Sequence, residues 1–259
     1  MRLWQLASAA FFLYVAAVSL WQGLSRRAAR QALAGAAVGL AVLALSRVVE
    51  NRTLSLWIWP PALLLIGYWS SGRLFIAPRA SHEAALAWLD GRVSISTVAR
   101  RVPRAIAESL EAAYAGVYLL IPIALAIRIS YLTSPSPETF WAVVLVTDYV
   151  CFGFLPWVQT RPPRALEARD PWPSSLRRFN LRLLGATSIQ VNTFPSGHAA
   201  EALVAALMVV GAPPAIVALM FLAALAVSAG AVLGRYHYLL DALTGWAVAL
   251  VVFRVLAAM

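Results

Sequence analysis

Residues 214–256 read PAIVALMFLAALAVSAGAVLGRYHYLLDALTGWAVALVVFRVL, in which two apolar runs flank one short polar stretch. Each run approaches the roughly 20 apolar residues that a helix needs to cross the hydrocarbon core of a bilayer. The polar stretch carries a histidine and an aspartate near the start of the second run. This pattern predicts two membrane helices joined by a turn that places ionisable side chains at one membrane face.

The whole chain has the composition of a polytopic membrane protein. Of its 259 residues, 61% are hydrophobic and 12% are charged, and a soluble domain would carry about twice that charged fraction. The first apolar window is too long for a signal peptide and is predicted to be retained. The apolar windows predict an all-α fold with about eight spans, at residues 3–24, 31–49, 54–71, 113–132, 138–158, 198–212, 214–233 and 237–256.

Two long polar stretches divide the chain. Residues 73–110 contain SHEAALAWLDG, which predicts a short amphipathic helix in the membrane interface. Residues 161–195 contain five prolines and a second predicted interfacial helix, so they do not span. We therefore predict an N-terminal extension of three spans at 1–72, an interfacial segment at 73–110 and a membrane core at 111–259.

Charge and cysteine content narrow the classes of ligand. The net charge of +10 comes entirely from arginine, which suits anionic lipid headgroups, and a membrane-embedded chain makes nucleic acid a poor candidate partner. The single Cys151 excludes an intrachain disulfide, and three scattered histidines make a Cys/His metal cluster improbable. We expect no metal and no cofactor.

Three polar segments interrupt the apolar pattern, and span parity brings them to one membrane face. QTRPPRALE follows the fifth span, FPSGH opens the sixth, and GRYHYLLDALTG opens the eighth. That face collects the candidate site residues Arg161, Ser196, Gly197, His198, Arg235, His237 and Asp241.

The residue types in these segments indicate phosphoryl chemistry. His237 and Asp241 are spaced i, i+4 for one helix face, so the carboxylate can accept one imidazole N–H and leave the other nitrogen as a nucleophile. The alternative is a purely structural pair, in which the two side chains only neutralise each other. Ionisable pairs inside membranes are more often functional than structural. Gly197 opens a helix N-terminus to an anion; the alternative is an ordinary cap at Ser196 with His198 idle. Arg161 at a span end is by itself consistent with snorkelling.

Together the three segments resemble the type 2 phosphatidic acid phosphatase superfamily, which also includes vanadium haloperoxidases. The family pattern is Lys, six residues, Arg-Pro; then Pro-Ser-Gly-His; then Ser-Arg, five residues, His, three residues, Asp. It is matched at Arg161-Pro162, at Pro195–His198, and at His237 with Asp241.

The resemblance implies an enzyme that acts on a phosphorylated lipid without a metal. It implies that His237 attacks phosphorus to form a phosphohistidine, that Asp241 orients it, and that His198 protonates the departing oxygen. Arg161 and the backbone at Ser196 and Gly197 would hold the phosphoryl oxygens. The core at 111–259 would then be the catalytic part.

Three residues depart from the family pattern. Phe154 replaces Lys, Gly230 replaces Ser and Ala231 replaces Arg. TRPPRALE and GRYHYLLD are closer to the branch that contains inositol phosphorylceramide synthases, so headgroup transfer between lipids stands beside hydrolysis. A non-catalytic lipid-binding or lipid-transport protein on the same scaffold is the alternative of another class.

Arg235 is a candidate replacement for the missing arginine. On a continuous helix it would point away from the face of His237. We predict that Gly234 ends the seventh span and that Arg235 leaves the turn towards the phosphate, beside Arg161. The alternative is an Arg235 that snorkels to lipid headgroups.

Two further acidic residues lie in the predicted spans. Glu201, three residues after His198, would favour the acid form of that histidine, or would simply suit a helix N-terminus. Asp148 lies in mid-span and is predicted to pair with Arg128.

The distribution of arginines predicts the orientation in the cell membrane. On the predicted topology, 16 of the 21 arginines lie on the face of the site. Positive-inside reasoning makes that face cytoplasmic with both termini outside, whereas the family resemblance suggests the outer leaflet.

Overall fold

The computed structural model describes residues 2–49, 51–134 and 136–257. These ranges contain α-helices, one 3-10 turn at Pro163–Ala165 and no strand, which confirms the predicted all-α class. The helices are α1 Leu3–Trp21, α2 Arg26–Val48, α3 Arg52–Trp57, α4 Trp59–Gly72, α5 Ala80–Arg92, α6 Ile95–Arg100, α7 Arg104–Ala115, α8 Val117–Tyr131, α9 Pro137–Gly153, α10 Ser175–Thr187, α11 Gly197–Leu207, α12 Pro214–Leu233 and α13 Leu239–Leu256.

The predicted count of about eight spans is not confirmed. In the described part of the chain, four helices, α1, α2, α12 and α13, are long and apolar enough to cross a membrane. The pair α7 and α8 makes a fifth candidate if it is one span, bent by 64°. The other predicted windows fold into shorter helices because backbone breaks interrupt them. The third window is divided at Ile58, and Pro60 and Pro61 lie in the first turn of the following helix.

Helix α11 is shorter than the sixth predicted span. It ends at Leu207 instead of residue 212, and the chain continues in turns to Gly211, which has a positive φ of 101° ahead of Pro213. Eleven residues measure about 16 Å at 1.5 Å per residue, about half of the hydrocarbon thickness. Helix α11 is therefore too short to cross the hydrocarbon core by itself.

The N-terminal helices share their core with the rest of the chain. Helix α1 packs on α2 and α9, and α4 packs on α2 and α9. The ring of Phe11 stacks on that of Tyr149, with 4.2 Å between centroids. The predicted division of the chain into segments 1–72, 73–110 and 111–259 stays a prediction. Through the contacts of α1 and α4 with α9, the first of these segments packs against the third.

Helix α11 lies at the centre of the second half and contacts α8, α9, α12 and α13. Helix α13 approaches its N-terminus closely at Gly245, where an added Cβ would lie 2.5 Å from the Ser196 carbonyl oxygen. Helices α7 and α10 from the polar stretches pack together, and α7 also packs on α12. These elements surround the turn between α12 and α13.

Candidate active site

The turn between α12 and α13 carries His237, which lies outside both helices. Helix α12 ends at Leu233 and α13 begins at Leu239, so the predicted placement of His237 on a helix face is wrong. Asp241 occupies the third position of α13, where its carboxylate accepts the Tyr238 N–H at 2.8 Å. The same Oδ2 atom lies 3.4 Å from His237 Nδ1. The pair therefore meets through a helix cap instead of through one helical turn.

Asp241 is fixed by further contacts. It is fully buried, and Asn192 Nδ2 donates to its Oδ2 at 2.9 Å. Asn192 in turn donates to Thr160 Oγ1 at 3.0 Å. A buried carboxylate that faces His237 Nδ1 favours the tautomer with the proton on Nδ1 and leaves Nε2 unprotonated.

His198 lies next to His237 at the start of α11. The two imidazole centroids are 5.9 Å apart. The Tyr118 hydroxyl lies 3.2 Å from His198 Nε2, and the Tyr114 ring stacks on the imidazole at 5.2 Å. The structure thus brings together His198, His237 and Asp241.

The PSGH turn forms a helix N-terminus with free N–H groups. Ser196 is buried, caps the Ala199 N–H at 3.4 Å, and donates its own N–H to the Asp241 carbonyl oxygen at 2.9 Å. Among the described residues, no acceptor reaches the N–H groups of Gly197 and His198. A helix N-terminus with two such donors is suited to a phosphoryl oxygen.

These groups open into a cavity of about 300 Å³. Three exposed lining residues, Leu65, Trp69 and Tyr118 at 43%, 47% and 50%, mark its mouth. Its lining combines ionisable groups, tyrosines and an apolar wall from α4 and α10: Arg164, Asp148, His198, Glu201 and His237; Tyr68, Tyr114, Tyr118 and Tyr236; Leu64, Leu65, Trp69, Leu183 and Leu184. An amphiphile with a phosphorylated end matches this distribution.

Arg161 faces α5 in the structure. Its Nε and Nη2 atoms donate to Glu83 at 3.0 and 2.9 Å, and its backbone N–H donates to the same carboxylate at 2.8 Å. These hydrogen bonds hold the pKa of Glu83 below its usual range. Arg161 does not line the cavity, and its role towards phosphate stays a prediction.

Arg235 lies in the predicted turn but not in the predicted place. Gly234 caps α12 and Arg235 has a left-handed φ of 60°, so the helix ends where expected. Its guanidinium, however, is buried and pairs with Asp90 and Glu167, each at 2.7 Å. Asp90 also accepts the Leu239 N–H at 3.0 Å. This placement differs from the predicted one because two acidic side chains, not the cavity, receive the guanidinium.

Arg164 is the cavity arginine that the sequence analysis did not single out. The Pro163–Ala165 turn directs it to the histidine side, where its N–H donates to the Arg235 carbonyl oxygen at 2.9 Å. Its guanidinium lies 5.4 Å from the Tyr236 ring centroid. Burial lowers the pKa of Arg164, but the group stays charged near neutral pH. The sequence feature that could have pointed to Arg164 is its place as the second arginine of TRPPR.

The three departures from the family pattern have structural counterparts. An added Cβ at Gly230 would lie 2.6 Å from the Leu110 carbonyl oxygen. Ala231 is fully buried beside Tyr114 and Leu184, which leaves no space for an arginine. Phe154 is 44% exposed and lines a groove between α1 and α9, away from the histidines.

A buried network holds the His237 turn from the opposite side. Arg177 Nη1 donates to the Gly234 carbonyl oxygen at 2.7 Å and pairs with Glu111 at 3.3 Å. The Tyr236 hydroxyl donates to Glu111 Oε2 at 2.6 Å. Arg177 and Glu111 are 2% and 1% exposed, so the turn is clamped by groups that water does not screen.

The comparison with protein-family models places the chain in a family. The model of the PAP2 superfamily matches residues 123–259, more than half of the chain, and the chain belongs to this superfamily. The match includes the Arg161-Pro162 pair, the PSGH turn, His237 and Asp241. No curated protein and no solved structure matches the chain.

Membership defines the broad activity. PAP2 proteins are generally phosphoesterases that act on phosphorylated lipids, and the apolar helices agree with a membrane protein. In the part of the chain that the structure describes, no group of three or more His, Cys, Asp or Glu residues is arranged to hold a metal ion.

Proposed function

We propose that the protein is an integral-membrane lipid phosphatase or phospho-headgroup transferase that acts through a phosphohistidine at His237. The observation that carries the proposal is the meeting of His237, His198 and Asp241 at a cavity with an apolar wall. A lipid phosphate can lie with its phosphorus at the histidines and its chains along α4 and α10.

In the first step, His237 Nε2 attacks phosphorus and the bond from phosphorus to the leaving oxygen breaks. Asp241 stabilises the positive charge that develops on the imidazole. Burial, with His237 and Arg164 nearby, lowers the pKa of His198 to about 3 in the free site. The bound phosphate anion raises this pKa again, so that His198 takes up a proton and gives it to the leaving oxygen. Arg164 and the free N–H groups of Gly197 and His198 hold the phosphoryl oxygens.

In the second step, water or a lipid hydroxyl attacks the phosphohistidine. His198, now neutral, accepts the proton of the attacking oxygen, and the N–P bond to His237 breaks. Hydrolysis and headgroup transfer use the same residues and differ in the attacking oxygen.

The charge of the cavity favours a phosphodiester substrate. Among the described residues that line the cavity, one is an arginine, Arg164. A phosphodiester carries one negative charge, whereas a phosphomonoester carries about two. This charge balance, together with TRPPRALE and GRYHYLLD, supports the transferase branch that resembles inositol phosphorylceramide synthases.

The first test is an assay of purified protein on a panel of phospholipids with the products separated. We expect turnover to be abolished in His237→Ala, whereas Asp241→Asn keeps slow activity because the imidazole is misoriented. Vanadate should inhibit by occupying the phosphoryl position. An acid-labile phosphoprotein should form in the wild type and be absent from His237→Ala.

Arg178→Ala provides the control, because Arg178 is an exposed arginine of α10. Full activity of His237→Ala would end the phosphohistidine mechanism. Lipid binding without turnover in the wild type would favour the non-catalytic lipid-binding alternative.

We further propose that the active face is cytoplasmic, since 16 of the 21 arginines lie on that side of the predicted topology. The C-terminus follows α13 away from the site, so it should be outside. An export-dependent phosphatase fused to the C-terminus should be active, and a cytoplasmic fluorescent reporter there should be dark. The reverse pattern would place the site on the outer face.

A further inference from the structure

The cavity contains two carboxyl groups that the proposed mechanism does not use. Asp148 on α9 is fully buried, and Glu201 lies one turn after His198 on α11; both line the cavity. The two carboxyl groups interact electrostatically across the cavity that both of them line. Among the described residues, no N–H or hydroxyl group donates to either Asp148 oxygen.

The expected partner of Asp148 is engaged elsewhere. Arg128 donates to the Met208 carbonyl oxygen, and no ion pair joins it to Asp148 within the described ranges. The prediction of an Asp148–Arg128 pair is therefore wrong. The carboxyl pair remains as a polar feature of the cavity, and within the described residues neither carboxyl group forms an ion pair.

Two adjacent carboxyl groups in an apolar interior do not both ionise, so the pair retains a proton. It then presents one O–H donor beside several acceptor oxygens. A hydroxyl group, which donates and accepts a hydrogen bond, is complementary to such a pair.

The pair lies close to the phosphoryl position. An added Cβ at Gly197 would lie 3.6 Å from Asp148 Oδ1, so this carboxyl group reaches the PSGH turn. The remaining negative charge disfavours a phosphate at the pair itself and leaves the phosphate to Arg164 and the histidines. An ammonium group is the competing ligand, because it would also be attracted to the remaining negative charge, and the test below therefore includes ethanolamine.

We propose that the Asp148–Glu201 pair binds a hydroxyl group of the substrate adjacent to the phosphoryl group. The hydroxyl belongs either to a polyol headgroup of the donor lipid or to the alcohol that accepts the phosphoryl group. This inference rests on the proposed function and adds to it the chemistry of the group beside the phosphate.

The test measures preferences with the purified full chain in nanodiscs. In the donor arm, turnover of phosphatidylglycerol is compared with that of phosphatidylpropanol, which lacks both free headgroup hydroxyls. In the acceptor arm, dioctanoyl phosphatidic acid is the donor, and transfer to glycerol, propanol or ethanolamine is compared with release of phosphate to water. The variants are Asp148→Asn and Glu201→Gln, with Glu138→Gln, whose side chain is 53% exposed, as the control.

We expect the wild type and Glu138→Gln to prefer the glycerol compound over the propyl compound by about tenfold or more in at least one arm. Both pair variants should reduce that ratio to near one. Because a ratio is independent of the amount of folded enzyme, partial misfolding of a variant does not imitate this result. The arm that shows the preference identifies the source of the hydroxyl.

Three results would overturn the inference: no glycerol preference in a wild type that forms the phosphohistidine, a preference that survives in both pair variants, or a preference for ethanolamine over glycerol that the variants remove. The last result would identify an ammonium site. A wild type that forms no phosphohistidine and cleaves no probe would instead refute the proposed function.

Discussion

The Arg164 side chain carries the positive charge that faces the two histidines in the cavity. It reaches this position because a short 3-10 turn follows Pro162, and because its backbone N–H is bonded to the Arg235 carbonyl oxygen. Arg161, three residues earlier, is bound to Glu83 in a bidentate ion pair. The two arginines of TRPPR therefore have different surroundings, and we assign phosphate binding to Arg164.

Replacing Arg164 by Ala should lower kcat/KM by about 100-fold, because removal of one preorganised donor to a transition-state oxygen costs about that much. Arg164→Lys should recover part of the loss, since an ammonium keeps the charge but not the planar fork. Initial rates on the best lipid of the panel measure both effects.

Arg161→Ala should affect mainly the thermal unfolding temperature, because it leaves the buried Glu83 carboxylate without its partner. If instead Arg161→Ala loses activity and Arg164→Ala keeps it, the Glu83 ion pair opens on substrate binding and Arg161 holds the phosphate.

At the residue scale, spacing in the sequence identified His198, His237 and Asp241, because each belongs to a segment with a fixed pattern. The acidic partners of the arginines, and so the positions of their guanidinium groups, were not predictable in the same way. The partner of Arg161, Glu83, is 78 residues away in the sequence. The same holds for Arg235, whose partner Asp90 is 145 residues away.

At the scale of elements, the close contact between α7 and α12 explains why the family's Ser-Arg pair is absent. Gly230 lets the backbone of α7 approach, and the Ala231 carbonyl oxygen accepts the N–H groups of Tyr236 and His237 at 2.9 Å each. The end of α12 therefore shapes the His237 turn through its backbone.

Ala231→Arg, which introduces the family residue, should destabilise the protein by about 3 kcal/mol or more without raising activity, because a long charged side chain must displace Tyr114 and Leu184. Thermal unfolding in detergent and a lipid assay measure the two quantities. Ala215→Arg, at an exposed position near the other end of α12, is the matched control. A stable and more active Ala231→Arg would show that the site lacks a cation that it can accommodate.

Helix composition predicted the class of fold, but not the helix ends. Hydropathy averages over a window, whereas the breaks at Ile58, Gly116 and Gly211 depend on single backbone positions. His237 was placed on a helix because its i, i+4 spacing to Asp241 fits one. In the structure the two residues have the same spacing, but His237 precedes the first residue of α13 and Asp241 lies in the first turn.

At the scale of the whole molecule, the site draws on the entire chain. Glu83 and Asp90 from α5 form ion pairs with Arg161 and Arg235, respectively, and α4 supplies one wall of the cavity. The contribution of the first spans was not predictable from the sequence, because α4 carries no motif and its wall residues are ordinary apolar and aromatic side chains.

Leu65→Trp should narrow the mouth of the cavity, since Leu65 is partly exposed at its rim. We expect kcat/KM to fall about tenfold for a lipid with 16-carbon chains and to stay within about twofold for p-nitrophenyl phosphate, which has no chains to accommodate. Leu13→Trp, at a 59% exposed position of α1 outside the cavity, is the control. An equal loss for both substrates would show that the chains do not pass along α4.

The division of labour between α4 and the histidine turn has an evolutionary consequence. The wall residues on α4 precede residue 123, where the family match begins, whereas His198, His237 and Asp241 lie inside it. If the proposed function holds, mutations on α4 can change which lipids bind while the reaction at the histidines stays the same. After gene duplication, two such proteins could therefore come to prefer different lipids through substitutions in α4 alone. Similarity in the three motifs would then indicate the same reaction, but not the same substrate.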